Sequence, residues 1–504
     1  MKKIKSALIS VYNKEGLLPI LEELTRLGVK IISTGGTYTY IKSMGFQAVA
    51  VEELTSYPSI FDGRVKTLHP AIFGGILNRR DNQSDMAEKE KYKIEDIDLV
   101  IVDLYPFSET VASGASEAEI IEKIDIGGIS LIRAAAKNFE DVLVVPSKNQ
   151  YSFLLDLLMK KNGYSELQDR KLLAIQAFNV SSAYDTEIHQ YFSSETHEFL
   201  KRSFGSSTKL RYGENPHQQA MFYGDIDEAF FQHHGKQISY NNLLDIDSAF
   251  RLINEFKQTT VAIIKHLNPC GLASRENLTQ AWKDALAGDP VSAFGGIIVT
   301  NEVIDLATAQ EMDKLFFEVV IAPGYHANAL EVLKTKKNRI ILQLNNSNLP
   351  KEEIRTSLFG LLVQDRDTKS EIAEDLKYVT EAKPTAEQIE DMLFANKIVK
   401  HLKSNAIVIV KNKQMIGAGM GQTSRIDALK QAISKAKEYG FDLKGSVLSS
   451  DAYFPFADSV ETAFKEGISA IIQPGGSVRD QDSIDFCNQN GLPMVFTGYR
   501  HFKH

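Results

Sequence analysis

The chain has 504 residues, enough for about two to four domains, and its apolar share of 43% and charged share of 24% are ordinary for a globular protein. The formal net charge of -8 excludes a protein that wraps nucleic acid over its whole surface, although a local basic pocket for a small phosphorylated molecule is compatible with it. Cys270 and Cys487 lack Cys-x-x-Cys spacing, which argues against a disulfide framework or a thiolate zinc site and indicates a cytoplasmic protein.

The amino-terminal residues predict no secretion signal. The apolar run at residues 7–11 is too short for the core of a signal peptide. No stretch of the sequence is long and apolar enough to span a bilayer. We therefore expect no membrane partner.

The first part of the chain alternates short apolar runs with amphipathic stretches, which predicts an α/β domain whose parallel sheet is covered on both faces. Residues 16–27 space leucine and isoleucine as an amphipathic helix does. Residues 150–192 are helical in pattern, and the polar run 201–207 predicts a domain boundary near residue 200. The apolar runs that predict strands are residues 7–11, 29–32, 99–103 and 142–145.

The second part of the chain is again α/β, and its many elements predict two subdomains that divide between Pro350 and Pro384. Helical patterns such as residues 386–402 and 425–439 separate most of its strands. No sequence repeat is evident. The strand-like runs are residues 261–265, 296–300, 319–322, 340–344, 406–410, 446–449, 470–473 and 494–497.

A glycine-rich segment, Ser-Thr-Gly-Gly-Thr at residues 33–37, follows a predicted strand and precedes a helix. Glycines allow a sharp turn there, and free N–H groups with hydroxyls can hold a phosphate at a helix N-terminus. An ordinary strand-to-helix turn with a threonine cap explains the segment equally well.

Other polar groups lie in loops or at the ends of predicted strands, where open α/β sheets bind ligands. Each has a structural explanation when taken singly: exposed cations solubilise, a tyrosine packs, and a carboxylate caps a helix. These groups are Arg64, Lys66 and Thr67 in the loop 62–70, Tyr105 after a predicted strand, Asp125 before Gly127-Gly128, and Lys137 at the end of a helical run.

Lys265 and His266 follow the β-type run 261–264 and lead into a predicted turn at residues 268–271. A lone histidine is more often structural, but an adjacent Lys-His pair at a strand end can combine proton transfer with electrostatic stabilisation. Residues 211–218 form another dense polar run. The basic end of the chain would ordinarily be a frayed tail.

The dipeptide Pro269-Cys270 raises the question of deaminase zinc chemistry. Zinc deaminases pair a His-x-Glu motif with Pro-Cys-x-x-Cys. Position 273 is alanine and no His-x-Glu precedes the pair, so this chemistry is excluded.

In their order along the chain, these segments resemble one family, the bifunctional phosphoribosylaminoimidazolecarboxamide (AICAR) formyltransferases/IMP cyclohydrolases of purine synthesis. The resemblance covers essentially the whole chain. Any single segment is weak evidence, whereas six in order argue against a chance match. The segments are residues 62–70, 125–137, 210–218, 265–271, 450–456 and 500–504.

The resemblance implies a methylglyoxal-synthase-like domain over residues 1–200 that closes the purine ring to give IMP. It implies that residues 201–504 form two cytidine-deaminase-like subdomains without zinc. These transfer a formyl group from the cosubstrate 10-formyltetrahydrofolate to the 5-amino group of AICAR. The resemblance also implies a homodimer whose formyltransferase site is assembled across the subunit interface, and no metal.

For formyl transfer, the resemblance makes His266 the base for the 5-amino group and Lys265 the stabiliser of the oxyanion or of the departing folate nitrogen. Glu318 stands where the family often has aspartate, so the shorter geometry is not preserved. The residues implied to bind AICAR are Arg211, Tyr212, Asn242, Glu318, Asn405, Tyr453, Arg500 and Phe502, and those implied to bind folate are Arg425 and Asp458.

For ring closure, the resemblance assigns proton handling and oxyanion stabilisation to Lys66, Tyr105, Asp125 and Lys137. It assigns the phosphoribosyl part to Lys14, Ser33, Gly36, Thr37, Arg64 and Thr67. One departure affects this site. The family usually has Ser-Asp where this chain has Tyr12-Asn13, so a large ring replaces a small hydroxyl beside Ser10 and Lys14.

Three other functions fit parts of the pattern. A ligand-sensing first domain would need phosphate contacts, but it has no need of the proton-handling set. A formyltransferase with a degenerate first domain would accumulate the formylated nucleotide. A non-enzymatic nucleotide-binding scaffold would tolerate replacement of His266.

Overall fold

The computed structural model describes residues 1–193, 198–345 and 348–504. The chain divides into two compact units, Met1–Gly205 and Ser206–His504. Within the described residues, no helix is both long enough and apolar enough to cross a membrane.

The first unit alternates strands and helices along the chain. Its strands are β1 (Lys2–Lys3), β2 (Ser6–Ser10), β3 (Lys30–Ser33), β4 (Val49–Ala50), β5 (Leu99–Val102), β6 (Leu143–Val145) and β7 (Tyr164–Ser165). Its helices are α1 (Leu17–Arg26), α2 (Gly35–Ser43), α3 (Val51–Thr55), α4 (Pro70–Leu77), α5 (Gln83–Lys91), α6 (Phe107–Ala112), α7 (Glu117–Ile121), α8 (Gly127–Lys137), α9 (Tyr151–Lys160) and α10 (Leu167–Phe192).

The main sheet of the first unit is parallel throughout, in the order β4-β3-β2-β5-β6. The chain builds outward from β2 on one side and then resumes at β5 on the other. The carboxyl ends of β2 and β5 are therefore neighbours, with Ser10 opposite Val102. Open α/β sheets bind ligands at such a reversal of strand order.

The strands of this sheet are buried on both faces because helices cover them. All four residues of β5 are buried, as their continuous apolar sequence predicts. Helix α1 buries Leu17, Ile20, Leu21 and Leu24, which recur on one helical face. Each such side chain contributes about 1.5–3 kcal/mol of hydrophobic stabilisation.

The second unit is also α/β. Its strands are β8 (Ser207–Lys209), β9 (Met221–Tyr223), β10 (Phe230–His234), β11 (Thr260–Lys265), β12 (Asn268–Ser274), β13 (Ile297–Thr300), β14 (Val319–Ala322), β15 (Ile340–Leu344), β16 (Glu352–Ser357), β17 (Gly360–Asp365), β18 (Lys377–Tyr378), β19 (Ile407–Lys411), β20 (Gln414–Gly419), β21 (Val447–Ser450), β22 (Ala470–Gln473) and β23 (Met494–Phe496). Its helices are α11 (Tyr240–Ile253), α12 (Leu278–Gly288), α13 (Leu306–Met312), α14 (Ala327–Lys334), α15 (Ala386–Val399), α16 (Arg425–Glu438), α17 (Asp458–Lys465) and α18 (Asp480–Asn490).

The large sheet of the second unit consists of two halves with the same topology. The order is β10-β15-β14-β13-β11-β12 in one half and β18-β23-β22-β21-β19-β20 in the other. Each half has an antiparallel edge strand, parallel inner strands and an antiparallel hairpin. The halves meet where β12 pairs with β20, at Ala273 and Gln414. The fold class predicted from the resemblance is confirmed, and the structural repeat has no counterpart that is evident in the sequence.

Glycines allow one helix of each half to lie directly on its hairpin. A Cβ on Gly271 in β12 would lie 1.9 Å from the Ala285 carbonyl oxygen of α12, and a Cβ on Gly419 in β20 would lie 1.9 Å from that of Ala428 in α16. No side chain fits at such distances, so both positions require glycine for close backbone approach.

Candidate active sites

The loops that follow β2 and β3 are joined by buried hydroxyls. Ser33 donates to the Ile9 carbonyl at 2.7 Å. The Thr37 hydroxyl donates to the Val11 carbonyl at 2.8 Å and accepts the Val11 N–H at 3.0 Å. These two predicted phosphate ligands therefore fix the loop, while Gly36 is exposed in the first turn of α2.

Lys66 lies against two glycines at the carboxyl end of this sheet. A Cβ on Gly63 would lie 2.6 Å from the Lys66 Cε, and a Cβ on Gly35 would lie 3.4 Å from its Nζ. Gly63 has a φ of +87°, so glycine serves both the turn and the approach of the side chain. The ammonium thus lies beside the N-terminus of α2. Thr67 lies nearby, with its hydroxyl 3.3 Å from where a Gly127 Cβ would be.

Asp125 lies just before α8 and is only 9% exposed. Its carboxylate accepts the Gly128 N–H at 2.6 Å. Burial raises the pKa of Asp125, and N–H groups of Gly128 and Tyr105 together with the Lys66 charge oppose that rise. Burial and the Asp125 charge raise the pKa of Tyr105. The structure therefore brings Lys66, Tyr105 and Asp125 together.

Lys137 lies apart from this group. It is exposed in the last turn of α8, about 15 Å along the helix from Gly127. Arg64 forms an exposed ion pair with Glu122. Lys14 donates to the Tyr12 carbonyl at 2.8 Å, and burial lowers its pKa. Their predicted roles stay predictions.

The sequence reasoning missed two charged residues at this site. The Asp103 carboxylate accepts the N–H groups of Tyr12 and Asn13, the latter at 2.9 Å. The Lys123 Nζ lies 5.4 Å from the centre of the Tyr12 ring. Asp103 directly follows a buried strand, which is a usable signal, whereas no local pattern marks Lys123.

In the second unit, Lys265 ends β11 and His266 begins a tight turn. His266 and Leu267 have φ values of +51° and +68°, and β12 starts at Asn268. The prediction of a turn at residues 268–271 is therefore wrong, because the turn lies at residues 266 and 267 and the strand begins at residue 268. Pro269 has no N–H to donate to the neighbouring strand. The pairing of β11 with β12 shifts register beside it, which allows the proline to lie within a strand.

Backbone contacts fix the Lys265-His266 turn. The Lys265 Nζ donates to the Phe294 carbonyl at 2.9 Å, and the Leu267 N–H donates to Asp245 on α11 at 2.7 Å. Burial raises the pKa of Asp245, which the Leu267 N–H and the charges of His266 and Lys265 oppose. Lys265 and His266 line a cavity of about 290 Å³ at the β12–β20 junction.

The other half of the sheet has the same turn without the histidine. There β19 ends at Lys411, and Asn412 and Lys413 both have a φ of +54°. Asp391 on α15 accepts both of their N–H groups at 2.7 Å, as Asp245 accepts that of Leu267. Asn412 thus occupies the position of His266.

A second polar cluster centres on Glu318. Asn242 and Lys236 each donate to its Oε2 at 3.2 Å. Burial alone would raise the pKa of Glu318, but these two contacts and the charges of Lys236 and Arg211 lower it overall. Glu318 also raises the pKa of Asp245, so this cluster adjoins the turn. Sequence reasoning missed Lys236. Arg211 lies over the Tyr212 ring, 4.9 Å from its centre.

Arg425 lies in a buried network rather than free in a pocket. It pairs with the buried Asp451 and donates to Ser450 at 2.8 Å and to Asn405 at 2.9 Å. Its guanidinium therefore holds Asn405 in place, and its predicted folate contact stays a prediction. Tyr453 and Asp458 are exposed.

The end of the chain is ordered. Arg500 lies over the Phe502 ring, 4.4 Å from its centre. His501 is 3% exposed, and its two ring nitrogens face Asp367 at 2.7 Å and Glu371 at 3.1 Å. Burial alone would lower the pKa of His501, but the two carboxylates raise it to about 9.

The fold and these clusters define an α/β enzyme with two separate polar sites. Comparisons with known proteins agree. An MGS-like domain matches residues 16–130, and the AICARFT/IMPCHase bienzyme family matches residues 135–435. A solved structure described as the crystal structure of ForH matches 38% of this chain and 99% of its own at 33% identity, with a TM-score of 0.34 that adds nothing to the assignment.

Full-length relatives carry the name bifunctional purine biosynthesis protein PurH. The relative from Bacteroides thetaiotaomicron is 60% identical, over 100% of this chain and 99% of its own. Those from Caldicellulosiruptor saccharolyticus and Aquifex aeolicus are 47% and 48% identical, each over 99% of this chain and 100% of its own. The chain belongs to the AICARFT/IMPCHase bienzyme family. It is accordingly a bifunctional enzyme of purine biosynthesis, an AICAR formyltransferase and IMP cyclohydrolase.

Proposed function

We propose that formyl transfer takes place at Lys265 and His266 in the unit Ser206–His504, and that ring closure takes place at Lys66, Tyr105 and Asp125 in the unit Met1–Gly205. The observation that carries the proposal is the Lys265-His266 turn. A base and a cation lie there side by side at the edge of a cavity. The Lys265 Nζ is held by the Phe294 carbonyl, and the backbone N–H of Leu267 is held by Asp245.

Formyl transfer from 10-formyltetrahydrofolate needs a base, because the 5-amino group of AICAR is conjugated with the imidazole and its carboxamide and is a weak nucleophile. His266 takes the proton of this amine as the amine attacks the formyl carbon. Lys265 stabilises the oxygen that becomes negative. The bond between the formyl carbon and N10 of the folate then breaks, and N10 takes up a proton as tetrahydrofolate leaves. The cluster of Arg211, Asn242 and Glu318 beside this turn binds the nucleotide.

Four further AICAR contacts are proposed at the end of the chain and in nearby segments. Arg500 and Phe502 bind AICAR from a segment that is anchored at His501. Asn405 contributes from the network of Arg425, and the exposed Tyr453 also contacts AICAR, whereas the exposed Asp458 contacts the folate.

Ring closure needs no covalent intermediate, so positioning and charge stabilisation dominate. The carboxamide nitrogen attacks the formamido carbon, and water leaves. The buried Asp125 and the more exposed Tyr105 handle the protons. Partial or full desolvation raises the pKa of both groups and so favours their neutral, protonated forms. Lys66 stabilises the oxyanion, and the N-terminus of α2 beside it binds the phosphate.

We also propose that the enzyme is a homodimer in the cytoplasm. The β16–β17 hairpin supports a dimer, because Leu358 and Phe359 at its tip are fully exposed and an isolated two-stranded hairpin is only marginally stable. Sedimentation tests this point. The double variant Leu358→Ser/Phe359→Ser shifts toward monomer, and a wild-type monomer would contradict the proposal.

A time course with AICAR and 10-formyltetrahydrofolate tests the two-step function. The wild-type enzyme gives IMP with only transient formylated nucleotide. Accumulation of that nucleotide without IMP would instead fit a formyltransferase with a degenerate first unit.

A further inference from the structure

Tyr12, the residue that departs from the family pattern, lies beside a cation outside the proposed catalytic set. Lys123 follows α7, and its Nζ lies 5.4 Å from the centre of the Tyr12 ring and 5.8 Å from that of Tyr105. The two rings meet edge to face, with their centres 5.7 Å apart. A cation within about 6 Å of an aromatic ring is attracted to its face.

The backbone on both sides of this contact is fixed. Asp103 accepts the N–H groups of Tyr12 and Asn13. The buried Tyr184 hydroxyl donates to the Lys123 carbonyl and accepts the Asp125 N–H at 2.9 Å. The loop that carries Lys123 is therefore anchored at the same hydroxyl as Asp125.

The charge of Lys123 has no counter-ion within the described part of the chain. Lys123 is half-buried and forms no ion pair or hydrogen bond through its Nζ with any residue that the structure describes. An ammonium has three donors, and ring faces satisfy none of them fully. A partly desolvated cation with free donors is suited to an anionic ligand.

The position of Tyr12 indicates that this anionic ligand is a phosphate group. Tyr12 follows Val11, whose N–H and carbonyl are both bound by Thr37 of α2, and the N-terminus of α2 is the proposed phosphate site. On its other side, the Tyr12 ring contacts Tyr105. The Tyr12–Lys123 pair thus lies between the phosphate end and the reacting end of the site.

We propose that Lys123 is an additional cation that binds the phosphate of the nucleotide in the ring-closing site, and that Tyr12 is the positioning residue that holds Lys123 there. The inference rests on the proposed assignment of ring closure to Lys66, Tyr105 and Asp125.

Steady-state cyclisation of supplied formyl-AICAR tests the proposal. Lys123→Met raises KM about tenfold, the value of one charge-assisted hydrogen bond, with kcat changed less than about threefold. Its KM also rises less steeply with added KCl than that of the wild type, because one phosphate contact is lost. Lys123→Arg retains most of the affinity. Tyr12→Leu raises KM about threefold, and it adds nothing when combined with Lys123→Met.

Lys91→Met is the matched control, because Lys91 at the end of α5 forms a similar contact with Tyr92, with its Nζ 4.9 Å from the ring centre. It leaves KM and its salt dependence at the wild-type values. Formyl transfer, which the other unit carries out, stays unchanged in all of these variants, and wild-type urea unfolding midpoints show that the first unit still folds.

Two results would overturn the inference. If Lys123→Met matches Lys91→Met while Asp125→Asn abolishes cyclisation, the role of Lys123 is wrong and the proposed site stands. If Asp125→Asn leaves cyclisation intact, the proposed site itself is wrong and the inference fails with it.

Discussion

The carboxylate of Asp125 is only 9% exposed and has a pKa above its ordinary value of 3.8, with burial as the main cause. The folded chain therefore holds a proton on Asp125 at pH values where the unfolded chain has released it. It follows that this group lowers stability as the pH rises above about 4. The burial that suits Asp125 to its proposed role in ring closure thus lowers the stability of the first unit.

Replacing Asp125 separates its effect on stability from its effect on ring closure. Asp125→Asn keeps the bond from the Gly128 N–H, removes the buried charge, and leaves the free energy of unfolding at pH 7 equal or higher. Cyclisation falls by about 10²–10⁴-fold with the loss of proton transfer. Urea unfolding and a cyclisation assay measure the two. A clear loss of stability would contradict this account, and the exposed Asp156→Asn serves as control.

Arg425 and Asp451 form a buried ion pair with side chains 5% and 0% exposed. Arg425→Met leaves Asp451 charged and buried, so we expect a loss of about 3–5 kcal/mol in the free energy of unfolding of the second unit. Arg425→Met/Asp451→Leu recovers part of it. Lys465→Met breaks an exposed pair with Glu461 and changes stability by less than about 1 kcal/mol. Equal losses of stability in Arg425→Met and Lys465→Met would show that burial of the Arg425–Asp451 pair does not matter.

At the scale of elements, the sequence predicts what depends on local patterns. Continuous apolar runs predict β5 and β14 because both strands are buried on both faces. Strand β12 is not predicted, since Asn-Pro-Cys-Gly is ordinarily a turn and only the register shift beside Pro269 makes it a strand. The repeat of strand order is likewise invisible, because it lies in long-range pairing rather than in residue identity.

The same limit applies to the sites. The positions of Lys265-His266 at the end of a strand and of Asp125 before a helix could be predicted, because they adjoin recognisable elements, whereas their roles stay proposals. Lys123 could not, since its place beside Tyr12 depends on how the loop after α7 packs against Tyr184.

The glycine contacts between hairpin and helix give a prediction at this scale. Gly271→Ala places a methyl group against the Ala285 carbonyl, so α12 must move away from β12. We expect a loss of about 1–3 kcal/mol or more, and reduced formyl transfer because β12 follows the Lys265-His266 turn. Gly360→Ala, where a Cβ meets nothing within 4 Å, is the control. Equal unfolding midpoints for the two variants would show that the close approach is unimportant.

Across the whole molecule, the end of the chain is tied to distant segments through His501. Its pKa of about 9 exceeds the ordinary value of 6.5, so His501 keeps its proton to a higher pH in the folded state than in the unfolded state. The stabilisation is complete below about pH 6.5 and is lost as the pH rises through 9.

His501→Gln therefore removes a pH-dependent contribution. The difference in urea midpoint between wild type and His501→Gln is expected to be larger at pH 6 than at pH 9.5. His326→Gln, at an exposed position, is the control. A difference that does not change with pH would contradict the charged state of His501.

We expect the two reactions of this chain to proceed at independent sites, and the internal repeat suggests the substitution that tests this most directly. Asn412 occupies the position of His266 in the other half of the sheet, so His266→Asn installs a residue that an equivalent turn already accommodates. Both half-reactions are to be measured in His266→Asn and in Asp125→Asn. We predict that His266→Asn loses formyl transfer but cyclises supplied formyl-AICAR, and that Asp125→Asn does the reverse. Loss of both activities in either variant, or of neither, would contradict the account.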